Sequence, residues 1–172
     1  MPAVRLDRRQ IGFLVRFVVV LTVLFVAIWL PPVDRGVIVP FTRGLTRVSA
    51  AILNVLGEGV VVSGTVIQGK AFAVDIKGGC NGVEAMLLLC AAIAAFHAPW
   101  RARLLGLLAG SAALMAFNLI RIVSLYMIGV RWRTLFETFH LAIWQTIMFA
   151  VAATIFAVWS GRFAPRHVAA RP

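Results

Sequence analysis

The segment Gly78-Gly79-Cys80-Asn81-Gly82-Val83-Glu84 is the point at which this chain changes character. Polar, strand-like sequence precedes the segment, and a long apolar run that predicts a helix follows it. The paired glycines permit a tight turn, so Cys80 is expected at or next to the N-terminus of that helix. The segment therefore joins a membrane helix to a part of the chain that lies outside the membrane.

The composition is that of an integral membrane protein. Of the 172 residues, 62% are hydrophobic and 13% are charged, and the mean hydropathy is +0.96. Long uninterrupted apolar runs place such a chain in the bilayer. We expect a single all-α membrane domain over residues 1–172, with about four transmembrane helices.

The net charge of +11 comes from 17 Lys and Arg against 6 Asp and Glu. In a soluble protein this balance suggests nucleic acid as a partner. Here the basic residues lie mainly at the ends and between apolar runs, as topology signals and contacts with anionic lipids do. Membrane lipids are therefore the expected partner, and nucleic acid is not.

The first apolar run, from Phe13 to about Leu30, is predicted to be a retained transmembrane span within residues 1–32. A signal peptide is the alternative. The run ends in Trp29-Leu30-Pro31-Pro32, however, and lacks a small-residue cleavage site. Basic residues flank its N-terminal side, which places the N-terminus in the cytoplasm.

Residues 33–79 form the long stretch that is not expected to cross the membrane. From about Val39 to Leu56, apolar residues at helical spacing are interleaved with arginines, which predicts an amphipathic helix at the extracytoplasmic interface. Val60-Val61-Val62 and Ala71–Ile76 are then predicted as two short strands of a β-hairpin, around a turn that contains Gly69.

Residues 80–160 are predicted to form a three-helix core, followed by a basic cytoplasmic tail at 161–172. Eight basic residues lie on or near the outer face in this topology, which weakens a simple count, but the density near the membrane ends favours both termini inside. The spans run from about Asn81 to Phe96, from about Leu104 to Ile122 with a weaker continuation to about Val130, and from about Phe139 to Trp159. The nine cytoplasmic basic residues are Arg5, Arg8, Arg9, Arg16, Arg101, Arg103, Arg162, Arg166 and Arg171.

This topology brings three polar residues to one depth. Cys80 opens the second span on the outer side, Arg121 closes the third span there, and His140 opens the fourth. A thiol, a guanidinium and an imidazole are the parts of a cysteine acyl-transfer site.

Each of the three residues has a structural alternative. Cys80 is either a small packed side chain or a nucleophile whose pKa the helix-terminal amides lower. Arg121 either snorkels to the headgroups or stabilises an oxyanion. His140 is either an interfacial anchor or the group that moves a proton from Cys80 to the leaving amine. Their occurrence together favours catalysis.

Further polar residues are candidates for supporting roles. Asn118 lies one turn before Arg121 on the same helix face and can extend its set of donors. Glu84 lies one turn beyond Cys80 and either pairs with Arg121 or binds a polar group of the substrate. A carboxylate so close raises the thiol pKa, so a role as base is not expected. Glu137 either orients the imidazole or is an ordinary loop carboxylate.

The sequence predicts neither a metal site nor a cofactor. The three His are scattered, and there is no Cys-x-x-Cys, acidic pair or Gly-rich phosphate loop. Cys80 and Cys90 lie about 15 Å apart along one helix, too far for a disulfide. His97 and His167 are predicted on the cytoplasmic side, away from the site.

The motifs resemble the exosortase/archaeosortase family of integral-membrane cysteine transpeptidases. The resemblance covers about Val60 to Trp159 and depends on three motifs that occur in the same order. The short length of the chain is similar to that of short exosortases such as exosortase H. The motifs are Gly79-Cys80-Asn81-Gly82 with Glu84, Asn118-Leu119-Ile120-Arg121-Ile122, and Phe139-His140. The resemblance implies that Cys80, Arg121 and His140 are the catalytic set, with Asn81, Asn118 and Glu84 in support.

The resemblance also implies a substrate class and a location. Family substrates are exported proteins with a PEP-CTERM-like C-terminal tail, made of a short motif, a transmembrane helix and a basic cluster. Cleavage is expected at the outer face of the bacterial inner membrane. The alternatives are a non-enzymatic membrane assembly or transport subunit, which tolerates loss of Cys80, and a membrane thiol redox protein, which requires paired cysteines on one face.

Overall fold

A computed structural model describes residues 7–163. Arg5, Arg166, His167 and Arg171, which the sequence predicts on the cytoplasmic side, lie outside this range. Within it the fold has five helices and one small sheet. The helices are α1 (Arg8–Ile28), α2 (Pro31–Val55), α3 (Val83–Ala95), α4 (Trp100–Arg131) and α5 (Arg133–Ser160).

Four of these helices, α1, α2, α4 and α5, are long and apolar enough to cross a membrane. The prediction of an all-α membrane protein with about four such helices is therefore confirmed. The four are not the same as those assigned from the sequence, because α2 was predicted at the interface and α3 was predicted as a span.

The central helix of the bundle is α3, which contacts α1, α4 and α5. Its 13 residues are fewer than the about 20 that cross the hydrocarbon layer as a helix. Apolar residues cover all its sides, as expected for a helix enclosed by others. Ala85, Leu89 and Ile93 of α3 pack with Leu114 of α4 and Met148 of α5 in the core of the bundle.

A second apolar core lies at one end of the bundle, beside the sheet, and we call this the sheet end. There Leu45 and Leu53 of α2 pack with Ile67 of the sheet and with Leu125 and Tyr126 of α4. α2 thus packs on the sheet and on the last turns of α4. Its placement at the membrane interface stays a prediction, because these contacts are all within the protein.

The sheet has three antiparallel strands in the order β1-β2-β3, where the sequence predicted a two-stranded hairpin. The strands are β1 (Val61–Ser63), β2 (Val66–Gln68) and β3 (Ala73–Asp75). The additional strand, β2, has only three residues between two glycine turns. Gly64, at φ +65°, opens a two-residue connection between the paired residues Ser63 and Val66.

Candidate functional site

Cys80 lies in a turn between β3 and α3, three residues before the helix begins. The amide N–H of Cys80 donates to the carbonyl of Lys77 at 2.9 Å, which closes the turn. Gly79 at φ +81° and Gly82 at φ +76° adopt left-handed conformations that side chains disfavour. The glycines on both sides of Cys80 are therefore required by the backbone.

Asn81 fixes this turn to two helices. Its side-chain oxygen accepts the N–H of Val83 at 3.1 Å, at the start of α3, and its side-chain nitrogen donates to Thr42 Oγ1 of α2 at 3.1 Å. Asn81 is buried, and both hydrogen bonds are internal. The structure therefore supports a positioning role for Asn81, and Thr42 is a supporting residue that the sequence did not indicate.

Glu84 stabilises the same turn from the first turn of α3. Its Oε1 accepts the amide N–H of Gly79 at 2.7 Å. The expected ion pair with Arg121 is not formed: within residues 7–163 the ion pair present is Lys77 with Asp75, at 2.9 Å. Glu84 acts on Cys80 and Arg121 through its field.

Arg121 is a fully buried guanidinium at the sheet end of α4. It lies 21 residues after Trp100, about 32 Å along the helix, which is close to the about 30 Å thickness of the hydrocarbon layer. Its Nη2 donates to Gln145 Oε1 of α5 at 3.3 Å. Gln145 was missed from the sequence, although an amide inside an apolar helix is costly without a partner.

Three buried polar atoms beside Cys80 have no hydrogen-bond partner in the described part of the chain. They are Nε of Arg121 and both Nδ2 and Oδ1 of Asn118. The amide of Asn118 packs on the Cys80 turn so closely that a Cβ at Gly82 would lie 2.8 Å from its Cγ. Such atoms are rare in a folded interior, and each of them requires an explanation, such as a bound water or a ligand.

His140 lies in a π-helical turn, Phe139–Ile143, near the start of α5. Such turns are frequent at functional sites. The imidazole is partly exposed and borders a groove of about 450 Å³ whose opposite wall is β3. The charges that act on it are those of Arg121 and Glu137.

The arrangement places Arg121 within electrostatic reach of both Cys80 and His140. Cys80 and Arg121 are buried, and neither lines the groove that His140 borders. Burial raises the pKa of the Cys80 thiol above its usual value, Arg121 opposes this effect, and Glu84 adds to it. This direction is opposite to the lowering that the sequence predicted from the helix-terminal amides, and burial is its largest cause.

The remaining cysteine and histidine lie elsewhere. Cys90 faces Ser111, with Sγ and Oγ 3.8 Å apart, inside the bundle. His97 contacts Arg16 at the opposite end of the bundle, with Nδ1 and Nη1 3.2 Å apart. Residues 7–163 contain no group of three or more His, Cys, Asp or Glu placed to hold a metal ion.

Comparison with known proteins gives one match. The sequence profile described as transmembrane exosortase matches residues 8–158, a range that includes the Cys80 turn, Asn118, Arg121 and His140. No curated protein sequence and no solved structure matches the chain. A match over most of the chain, with four helices able to cross a membrane, establishes that this multi-pass protein belongs to the transmembrane exosortase family.

Proposed function

We propose that the protein is a membrane cysteine protease or transpeptidase that cleaves PEP-CTERM-like C-terminal sorting signals from exported proteins. One observation carries the proposal: the partnerless polar atoms of Asn118 and Arg121 lie beside a buried thiol. Donors held in place without a partner suit an oxyanion that exists only during the reaction. Membership of the exosortase family supports the same class of chemistry.

The proposed reaction starts with the Cys80 thiol giving its proton to the imidazole of His140. The sulfur attacks the scissile carbonyl carbon, and Arg121 with Asn118 Nδ2 stabilises the oxyanion. When the C–N bond breaks, His140 returns the proton to the leaving amine. A surface amine or water then attacks the thioester carbon, the C–S bond breaks, and His140 passes the proton of the nucleophile to the sulfur of Cys80.

Substrate entry is required for proton transfer in this scheme. Cys80 is only 3% exposed, and its thiol has no hydrogen-bond partner among residues 7–163. Catalytic hydrogen bonds often form only in the complex with substrate. We therefore expect the peptide to draw the imidazole and the thiol together as it enters from the groove.

We place the site at the extracytoplasmic face of the bacterial inner membrane, with both termini in the cytoplasm. Arginines gather at the end of the bundle opposite to Cys80, where Arg8, Arg9 and Arg16 border a groove with His97. Such a cluster supports the assignment of this end to the cytoplasmic side by the positive-inside rule.

The test is cleavage of a tailed exported protein that is co-expressed with the enzyme. Cys80→Ala is expected to abolish loss of the tail, measured by intact mass, while Cys90→Ala retains it, because Cys90 lies inside the bundle. The mass of the product distinguishes hydrolysis from transfer. Normal processing by Cys80→Ala would reject the nucleophile.

The second candidate is a non-enzymatic assembly or transport subunit. The burial of Cys80 away from the groove favours it, because a packing thiol needs no access. In that case Cys80→Ser and Cys80→Ala both retain function, whereas the cysteine enzyme loses function in both.

A further inference from the structure

The strand β3 is an edge strand, and its free side borders the groove that contains His140. β3 pairs with β2 on one side only. Ala73, Val74 and Asp75 form one wall of the groove, and the first turns of α5 form the other. An open strand edge next to a candidate catalytic residue is a template for an extended peptide.

The ladder between β2 and β3 shows which backbone groups are free. The amide of Gly69 donates to Phe72 at 2.9 Å, and the amide of Ile76 donates to Thr65 at 3.0 Å. Bonded and non-bonded pairs alternate in an antiparallel ladder, so the bonded pair between these two is Val74 with Ile67.

Ala73 and Asp75 therefore direct their N–H and C=O groups away from β2, along the edge that borders the groove. These four groups have no hydrogen-bond partner between residues 7 and 163. Asp75 uses its side chain instead, accepting from Thr65 Oγ1 at 2.7 Å and pairing with Lys77.

An aromatic contact joins the two walls of the groove next to His140, since Phe72 directly precedes β3 and Phe136 lies near the start of α5. The rings of Phe72 and Phe136 meet edge to face with centroids 5.1 Å apart, and the guanidinium of Arg133 lies 5.7 Å from the centroid of Phe72. Phe136 in turn packs on the His140 ring at 5.4 Å. The groove thus has a strand edge on one side and an aromatic wall that leads to the imidazole on the other.

We propose that the recognition segment of the substrate binds in this groove as a fourth strand, paired through its backbone with Ala73 and Asp75. This inference rests on the proposed function, and it states how that substrate is bound. A peptide in extended conformation presents its N–H and C=O groups to one side every second residue, about 6.8 Å apart, which matches the spacing of Ala73 and Asp75. A lipid or a helical segment presents no such series.

Strand addition has a consequence for recognition. Backbone hydrogen bonds give affinity that does not depend on the side chains, whereas alternate side chains enter pockets and give specificity. In an added strand the side chains alternate above and below the sheet, so every second side chain of the substrate points to the same face of the sheet.

A proline at the edge tests this on the enzyme. Ala73→Pro removes an outward N–H that the ladder does not use, and edge strands tolerate proline. Val62→Pro is the matched control. Val62 is paired with Ile67, whose backbone groups already bond to Val74. Val62 therefore directs its own backbone groups to the free edge of β1.

The expected result, in full-length enzyme and with a tailed substrate, is a loss of about tenfold or more in kcat/KM for Ala73→Pro, mainly through KM. Val62→Pro is expected to stay within about twofold of the wild type. Equal activity of the two variants would overturn the inference.

A second experiment changes the substrate instead of the enzyme, so that it tests the inference even if Ala73→Pro does not fold. A synthetic peptide of the cleavage segment is N-methylated at one amide at a time and offered to wild-type enzyme. Strand addition predicts losses of about tenfold or more at alternate amides and small effects between them. Cleavage without this alternation would overturn the strand alone, whereas no cleavage of the unmodified peptide or of the full tailed protein rejects the proposed function and this inference with it.

Discussion

At the scale of single residues, the two buried asparagines of the site have opposite hydrogen-bonding states. Asn81 has both side-chain groups bonded within the fold, to Thr42 and Val83. Asn118 has neither group bonded in the described part of the chain. A buried amide without a partner costs about 1–3 kcal/mol, so Asn118 destabilises the free protein.

We therefore predict that Asn118→Leu and Asn81→Leu change the melting temperature in opposite directions. Asn118→Leu, of similar size, is expected to raise the melting temperature in detergent while cleavage falls about 10²-fold, since one donor to the oxyanion is lost. Asn81→Leu is expected to lower the melting temperature, because Thr42 and the helix start lose their partner. Equal destabilisation by both substitutions would contradict a ligand-directed role for Asn118.

At the scale of single elements, the π-helical turn Phe139–Ile143 sets the direction of His140. A π-turn amounts to one residue inserted into an α-helix, so the residues on either side are turned by about 100° relative to a regular helix. The isolated amide of Gln145 follows the turn and reaches Arg121. The turn thus allows α5 to present His140 to the groove and Gln145 to the interior.

Deletion of Ala142, an exposed residue within the turn, is predicted to restore a regular helix and turn His140 away from the groove. Tail cleavage is then expected to fall below detection, while membrane insertion and protein yield stay normal because the apolar core of the bundle begins further along, at Met148. Ala142→Gly, which keeps the chain length, is the matched control and should retain most activity. Full cleavage by the deletion variant would show that the turn has no catalytic role.

The sequence predicted most of the helices, but it did not predict the contacts that shape the site. Long apolar runs revealed α1, α4 and α5, because hydrophobic length is a direct physical requirement of a membrane span. The π-turn and the pairing of Gln145 with Arg121 arise from packing between helices, which leaves no periodic signal. For the same reason β2 was missed, since three residues between glycines are too few to show alternation. The roles of Cys80, Arg121 and His140 stay predictions.

At the scale of the whole molecule, the fold consists of a helical bundle and a sheet end that is built by α2, the three strands and the last turns of α4. The amphipathic pattern of α2 predicted an interfacial position, whereas its length and apolar content also suit a span. The two alternatives place the ends of α2 differently: both on one side of the membrane, or on opposite sides.

Labelling with a membrane-impermeant maleimide distinguishes them in a Cys80→Ala, Cys90→Ala background. We predict that Arg35→Cys and Val55→Cys both react from the extracytoplasmic side, because the Val39–Val55 part of α2 packs on the sheet end. Arg101→Cys, at the far end of the bundle, is the control and should react only after the membrane is permeabilised. Labelling of Arg35→Cys and Val55→Cys from opposite sides would show that α2 crosses the membrane.

The enclosure of Cys80 also affects how readily its thiol is oxidised. Outside the cytoplasm, exposed thiolates are oxidised or captured in mixed disulfides. Cys80 is almost completely enclosed, and Cys90 lies ten residues further along the chain, within α3. With protonation favoured and no second sulfur in reach, the thiol is poorly available to oxidants until a substrate opens the site. Under the proposed function, such a thiol is expected to stay reduced without a dedicated reductase.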